Sequence, residues 1–312
     1  MQATPATTSK EYDAGIDAVK KERAFVSGDV KAYVRRLDGH IADDVAYEKY
    51  QEWAGYTNFV DLTLQAFAGM IMNPEPVISD SPDAFQTYLD DLTSDGEPFQ
   101  RVCYNTVAEV SATGRQFVMV DYPDVPGAAA LSRLEAERAR LRPFVRAYPW
   151  ESIIAVKTEL RGGVRVLSRV RLKETVSEAG DTEWENLEIE QVRVLDLLNG
   201  RYRVRLFRKA EGTEERWEQF GSDRFPQMAG ATMDFIPGVV IGAGSLDPSI
   251  RAKPPVLDLV NTAENHLNVS ALEYNALRWL GSPSLVISGL VDSGDEDPTP
   301  IRMGSSQAIV LG

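Results

Sequence analysis

The sequence predicts an α+β protein with a helical N-terminal part, a mixed or antiparallel sheet domain, and a long helix leading into a small β region. Apolar residues recur at steps of three and four in the N-terminal third. Short β-forming runs separated by glycine turns follow between residues 142 and 220, and a helical pattern returns after residue 253. Since strands joined by short turns pair antiparallel, the middle of the chain favours a meander.

Composition limits the classes to which the chain can belong. Its 312 residues, 43% of them hydrophobic and 26% charged, are typical of a soluble globular protein. No apolar run reaches the roughly 18 residues that a membrane span needs, so we expect no membrane contact. Cys103 is the only cysteine, which excludes an intramolecular disulfide. The net charge of −14 argues against a surface that grips nucleic-acid phosphates.

The N-terminal part is predicted to be helical after a flexible tail over residues 1–12. Residues 13–37 form a helix or a helix pair broken at Ser27-Gly28-Asp29, and residues 83–92 and 99–113 form two shorter helices. The pattern over residues 45–72 is also helical and has an unusually aromatic apolar face. We interpret that face as core packing rather than a cofactor site.

The sheet is predicted from runs of β-formers and the turns between them. Residues 116–123 form a buried strand that ends at a proline, and a charged helix follows over residues 131–141. Two strands flank the corner at residues 149–152. The meander then comprises residues 164–175, 184–198, 202–209 and 216–220, with turns at Gly162-Gly163, Gly180-Asp181 and Asn199-Gly200.

Two charge patterns lie on these strands. A hairpin centred on Gly180 would set a basic series opposite an acidic one, as ladders of Arg169, Arg171 and Lys173 against Glu188 and Glu190. The second pattern is a row of arginines at positions 201, 203, 205 and 208. We favour a solvated strand face or a subunit contact for this row over a phosphate-binding track.

The long helix is bounded by a proline start at Pro254-Pro255 and a stop at Gly281, with Pro283 beyond it. One stripe is apolar and comprises Val256, Leu259, Val260, Ala263, Leu267, Ala271, Tyr274 and Leu277. The other face is polar and includes Glu264, Asn268, Glu273 and Arg278. This pattern predicts a helix packed on some sides and solvated on another.

The sequence contains no recognisable catalytic set. Its only histidines, His40 and His266, are expected at the surface, and neither a Gly-x-Ser-x-Gly elbow nor a phosphate loop is present. The acidic loop at residues 292–297 could bind a hard cation, but it lacks calcium-loop spacing, and a solvated loop is the favoured interpretation. We therefore expect a protein that is not an enzyme and has no cofactor or metal.

With this order of elements, the chain resembles the portal proteins of tailed bacteriophages, in particular a subgroup that is labelled only as a domain of unknown function. The resemblance covers roughly residues 10–312. Met72-Asn73 departs from it, since basic residues are common there in the family. The residues that carry it are Ala68-Gly69-Met70-Ile71 before Asn73-Pro74-Glu75-Pro76, Gly114-Arg115 before Val118–Pro123, Arg142-Pro143-Phe144 with Tyr148, Glu151 and Ile153-Ile154, and the Pro254-Pro255 helix leading to Gly281–Gly289.

The resemblance implies a ring of about twelve subunits at a capsid vertex of the virion, made in the bacterial host cytoplasm and open for DNA packaging and ejection. It divides the chain into a wing over 13–250, a stem helix over 251–281 and the start of a clip over 282–312. Implied partners are the terminase motor, the major capsid protein, a head-tail adaptor, and double-stranded DNA that passes without sequence-specific binding. A family member would continue into a second stem helix and a crown, so we expect a fragment.

The resemblance also assigns candidate residues. Candidates for the channel wall or the subunit interface are Glu264, Asn268, Glu273, Arg278, Arg201, Arg203 and Arg205, and those for the terminase-facing clip are Asp292, Asp295, Glu296 and Asp297. Two alternatives stay open. One is a non-catalytic α+β adaptor of phage or bacterial origin that binds a protein through the strand face around Arg203. The other is a hydrolase that uses a metal at the acidic loop.

Overall fold

The computed structural model describes residues 4–37, 44–123, 133–139, 141–180, 184–210, 216–228, 230–244, 251–281, 285–288 and 308–311, with positions 182, 247 and 249. The chain divides into two compact units, and it passes between them three times. One unit comprises residues 1–23 and 61–257, and the other comprises residues 24–60 and 258–312. The predicted α+β class is confirmed, including the long helix near the C-terminal end.

The helices follow the predicted order with small shifts of their ends. They are α1 (Lys10–Ser27), α2 (Asp44–Trp53), α3 (Phe59–Ile71), α4 (Asp83–Leu89), α5 (Phe99–Thr113), α6 (Arg133–Arg138) and α7 (Leu257–Gly281). Helix α1 ends before Gly28, whose φ of 88° is readily adopted only by glycine, and a short 3-10 turn follows at Lys31–Tyr33. The continuous helical pattern over 45–72 is in fact two helices, α2 and α3.

Two sheets build the larger unit. The first has the order β10-β1-β2, with β1 (Arg115–Asp121) in the centre, β2 (Phe144–Tyr148) on one side and β10 (Gly238–Gly242) on the other, all antiparallel. The second is the predicted meander, formed in chain order by β3 (Ile153–Arg161), β4 (Val164–Ala179), β5 (Asn186–Leu198), β6 (Arg201–Lys209) and β7 (Trp217–Arg224).

Short pairs complete the strand inventory of the described residues. In the larger unit, β8 (Gln227–Met228) pairs antiparallel with β9 (Ala231–Thr232). In the smaller unit, β11 (Leu285–Ser288) and β12 (Ala308–Leu311) pair in parallel at the positions where the sequence predicts strands. The predicted tight hairpin at Asn199-Gly200 is confirmed, because both residues have positive φ, 52° and 76°.

The register between β4 and β5 differs from the prediction. The loop between them is six residues long, from Gly180 to Glu185, so the pairing is displaced by four residues from a hairpin that turns at Gly180-Asp181. Lys173 lies opposite Val192, and Glu190 lies opposite Thr175. The predicted ladder of directly opposed charges is therefore wrong, although Lys173 Nζ still reaches Glu190 diagonally at 2.7 Å.

The main core of the larger unit lies between the two sheets. Phe117 and Met119 of β1 pack with Leu172 of β4 and Leu195 of β5, and all four side chains are almost fully buried. The opposite face of the meander holds a smaller cluster around Val192 and Val194, covered in part by Ala6 and Tyr12.

The N-terminal segment differs from the predicted flexible tail. Helix α1 already begins at Lys10, and the Ser9 backbone N–H donates to Ile154 O at 3.0 Å. Arg171 Nη1 donates to the carbonyls of Thr4 and Pro5 at 3.3 and 3.2 Å. These contacts fix residues 4–9 along the face of the meander.

Candidate assembly surface

Helix α7 carries two apolar stripes rather than one. Its inner stripe, Val260, Ala263, Leu267 and Ala271, is buried as predicted. Tyr274 and Leu277 were predicted to continue that stripe, but they are 52% and 55% exposed. A second, outer stripe runs along the solvent side at steps of three, four and four residues and comprises Val269, Leu272, Ala276 and Leu280.

The outer stripe of α7 is exposed over nearly its whole length. Val269, Leu272 and Leu280 are 62%, 48% and 79% exposed. Monomeric proteins usually expose large apolar side chains singly, whereas a contiguous stripe marks a contact surface. This half of the helix is therefore built to pack on two sides.

Helix α3 has the same arrangement. Its buried side holds Val60, Leu64 and Ala68, whereas an outer stripe with the same three-four-four spacing is exposed and comprises Phe59, Leu62, Ala66 and Met70. Leu62 and Met70 are 65% and 74% exposed. The prediction that this aromatic apolar face packs in the core is therefore wrong for α3, although it is correct for Tyr50 of α2, which is 1% exposed.

Of the predicted α7 residues, Asn268 has the environment that differs most from the prediction, which placed it on a solvent-exposed face of the helix. It is 8% exposed, and its Oδ1 accepts the Arg35 backbone N–H at 2.7 Å. Its Nδ2 donates to Tyr33 O at 3.2 Å and to Glu264 O at 2.8 Å. Asn268 thus fixes the segment after α1 to α7 within the smaller unit, and it is not available to a channel or to another subunit.

The other α7 candidates have different environments. Glu264 Oε1 lies 3.8 Å from Arg35 Nη2, a long ion pair in which Arg35 is exposed and Glu264 is partly buried. The Arg278 guanidinium lies over the Trp53 ring at 3.8 Å, which fixes the last turn of α7 to α2. Glu273 is exposed. Unlike those of the other three predicted α7 residues, the Glu273 side chain forms no hydrogen bond, ion pair or ring contact with any described residue.

The arginines of β6 are largely neutralised within the sheet. Arg203 binds Asp196 through two bonds of 2.9 and 3.1 Å and also binds Asp223 at 2.8 Å. Arg205 Nη2 donates to Asp196 Oδ2 at 2.6 Å. Asp196 is 2% exposed, so its charge requires these partners. Arg203 and Arg205 are thus held in ion pairs within the sheet, whereas Arg201 is exposed. A contact of these arginines with another subunit stays a prediction.

A cavity of about 860 Å³ in the larger unit is lined by titratable groups that serve as structural links. Arg193 joins Asp121 and Glu174 at 2.8 Å each, and the Tyr148 hydroxyl donates to Glu174 at 2.6 Å. Burial raises the pKa of Tyr148. Burial lowers the pKa of Arg193, but the surrounding acidic groups outweigh this effect and raise it. This network ties β1, β2, β4 and β5 together.

A second set of ion pairs anchors α1. Arg23 donates to Glu109 at 2.5 Å and to Glu151 at 2.6 Å, and Arg251 binds Glu22, which is fully buried. Burial raises the pKa of Glu22 more than Arg251 lowers it. Burial also raises the pKa of Glu151, but the hydrogen bond and charge of Arg23 outweigh this and lower it.

The remaining sequence-based candidates can be placed only in part. His266 is exposed on α7 as predicted, whereas His40 and the acidic clip residues Asp292, Asp295, Glu296 and Asp297 lie outside the described residues. Within the described ranges, no group of three or more His, Cys, Asp or Glu side chains could hold a metal ion. No described helix is both long and apolar enough to span a membrane.

The outer stripes of α3 and α7 are the features that sequence reasoning missed. Their three-four-four spacing is visible in the sequence, but periodicity alone does not tell which of two apolar stripes a helix buries. A comparison with known protein families and with curated protein sequences found no match to this chain.

Proposed function

We propose that this chain is a subunit of a portal ring, a non-catalytic channel for DNA at a capsid vertex. The observation that carries the proposal is the exposed outer stripe of α7, the helix that the resemblance assigns to the stem. At about 1.5 Å per residue, the 25 residues of α7 span about 37 Å, which is long enough for the helix to form one segment of a channel wall. A ring made of such helices covers the outer stripe with a neighbouring copy.

The proposal commits to a second copy of this chain as the partner of that stripe. A ring is built by head-to-tail contacts, which require two different surfaces on each copy. The outer stripes of α3 and α7 are two such surfaces. Each has an alanine at its third position, Ala66 and Ala276, and small residues allow helices to approach within the usual 8–10 Å.

Charge supports a conduit rather than a DNA-binding protein. The chain has a net charge of −14, and two arginines of the β6 row, Arg203 and Arg205, already bind Asp196. An acidic wall repels phosphates, so DNA can slide without being held.

Disulfide trapping between two single-cysteine variants tests the proposed contact. In a Cys103→Ser background, Ala66→Cys is mixed with Ala276→Cys under mild oxidation, with Ser177→Cys, exposed on β4, as the matched control for either. We expect a cross-linked dimer only when both stripe cysteines are present. A chain with both stripe cysteines should form a ladder of higher oligomers, because a head-to-tail contact does not stop at two copies.

Two further measurements decide the assembly. Light scattering should show self-association that increases with concentration, and Leu272→Glu should abolish it, whereas Leu160→Glu, at a site that is 75% exposed on β3, should not. Electron microscopy should show rings with a central hole. A monomer at every concentration, or trapping with Ser177→Cys as efficient as with the stripe pair, would contradict the proposal.

A further inference from the structure

A cationic cleft lies on the face of the meander opposite the main core. It has a volume of about 650 Å³ and is walled on one side by Thr4 and Pro5. Four basic side chains from three strands line it, namely Lys157, Arg169, Arg171 and Arg205. Lys157 pairs with Arg169 across β3 and β4, and Arg171 lies two residues further along β4, so three cations share one face.

The carboxylates around the cleft do not balance this charge. Asp196 is the acid next to it, and its single charge is shared among Arg203, Arg205 and, at 3.7 Å, Arg169. In the part of the chain that the structure describes, the hydrogen-bond acceptors of the Arg171 guanidinium are the backbone carbonyls of Thr4 and Pro5. Among the described residues, no carboxylate lies within ion-pair distance of the Lys157 ammonium.

Burial, followed by the charge of Arg169, lowers the pKa of the Arg171 guanidinium. A half-buried cation that is destabilised by a neighbouring cation would be stabilised by a negatively charged group beside it. Residues 4–9, which cover the cleft, cannot supply this negative charge because they contain no acidic side chain. In a chain with a net charge of −14, a local excess of cations on one concave surface is therefore unusual.

We propose that this cleft binds a small soluble compound carrying a multivalent phosphate group. A phosphate with a charge of about −2 and three terminal oxygens can accept from several guanidinium and ammonium donors at once, whereas one carboxylate offers two oxygens and one charge. The volume is in the range of small-molecule sites, about 300–1,000 Å³. Val194 and Phe207 provide an apolar floor beside the charged wall.

This inference is independent of the proposed ring, since the cleft and its covering segment belong to the larger unit alone. Its function would be to hold a phosphate compound against β3, β4 and the N-terminal segment. Binding should therefore also protect the Ser9 backbone N–H, which donates to Ile154 O, from hydrogen exchange.

Calorimetric titration of the whole 312-residue chain with pyrophosphate tests the proposal. The main variant is Lys157→Gln/Arg169→Gln, in which both side chains are exposed, so that folding should be retained. The matched control is Lys49→Gln/Arg101→Gln, which removes the same charge at exposed sites on α2 and α5. We expect saturable binding that the cleft variant weakens by about tenfold or more and the control leaves unchanged.

Competing ligands separate the sources of the negative charge. Citrate tests carboxylates, and a short single-stranded DNA tests the phosphodiester backbone. Tighter binding of either one than of pyrophosphate, lost in the cleft variant, would overturn the assignment to a small phosphate compound. Absence of saturable pyrophosphate binding, or equal weakening by the control variant, would overturn the site itself.

Discussion

Replacing Gly114 with alanine should destabilise the protein strongly, because this position combines a left-handed backbone with a close approach to another segment. Gly114 ends α5 with φ 91° and ψ −15°, and its N–H donates to Val110 O. A Cβ added here would lie 2.3 Å from the carbonyl oxygen of Ala252. Ordinary contacts of a Cβ begin at about 3.4 Å, so one of the two backbones has to move.

The expected loss of stability is the sum of two free-energy costs, one for the backbone conformation and one for the close approach. A left-handed conformation costs a residue with a Cβ about 1–2 kcal/mol. Displacing a packed neighbour costs about 1–3 kcal/mol more. The displaced segment is itself anchored, because Arg251 Nε donates to Thr113 O at 3.0 Å and the Val256 N–H donates to Ser111 O. We therefore expect Gly114→Ala to lower the free energy of unfolding by about 2–5 kcal/mol.

Gly69→Ala is the matched control because the same substitution is expected here to raise the free energy of unfolding rather than to lower it. Gly69 lies within α3, is exposed, and has no atom within 4 Å of the position that its Cβ would take. Alanine in an exposed helix is more stable than glycine by about 0.5–1 kcal/mol, since it loses less backbone entropy on folding.

Urea unfolding followed by tryptophan fluorescence measures both effects. Trp150 is fully buried in the same unit as Gly114 and reports on that unit. The midpoint should fall for Gly114→Ala and rise slightly for Gly69→Ala. A Gly114→Ala protein within about 0.5 kcal/mol of wild type, which is the usual range for surface substitutions, would refute the reasoning.

Two further predictions concern single polar contacts. Asn268→Ala should accelerate hydrogen exchange of the Arg35 amide by about tenfold or more, because it removes that amide's acceptor, whereas Asn265→Ala, exposed on the same helix, should not. Glu151→Gln should cost about 1 kcal/mol at neutral pH, since Arg23 holds the pKa of Glu151 below its unfolded value of about 4.3. That contribution is full above pH 4.3 and is lost as the pH falls through the lower folded pKa, so the difference from wild type should shrink in acid. A difference that stays constant with pH would contradict this reasoning.

The sequence alone determined most of the elements and their order. Local sequence signals are enough to predict an element's end where the backbone needs a positive φ that few residue types adopt. Gly114 at the end of α5 and Asn199-Gly200 in the hairpin between β5 and β6 are two such positions. The β-formers between these turns then have short connections and pair in chain order, which gave the meander correctly. The inner stripe of α7 followed from its period up to Ala271.

Only the tertiary structure decided which surfaces are free. The register of β4 and β5 depends on the six-residue loop between them, and the length of that loop cannot be deduced from the composition of the sequence. This register determines which charged side chains lie opposite each other. The charge of one buried acid, Asp196, decides that Arg203 and Arg205 form ion pairs within the sheet. A helix with two apolar stripes, such as α3 or α7, buries whichever one meets a neighbour, and that depends on residues distant in sequence. Periodicity identified these helices, but their exposed faces, on which the proposed assembly rests, are properties of the packing.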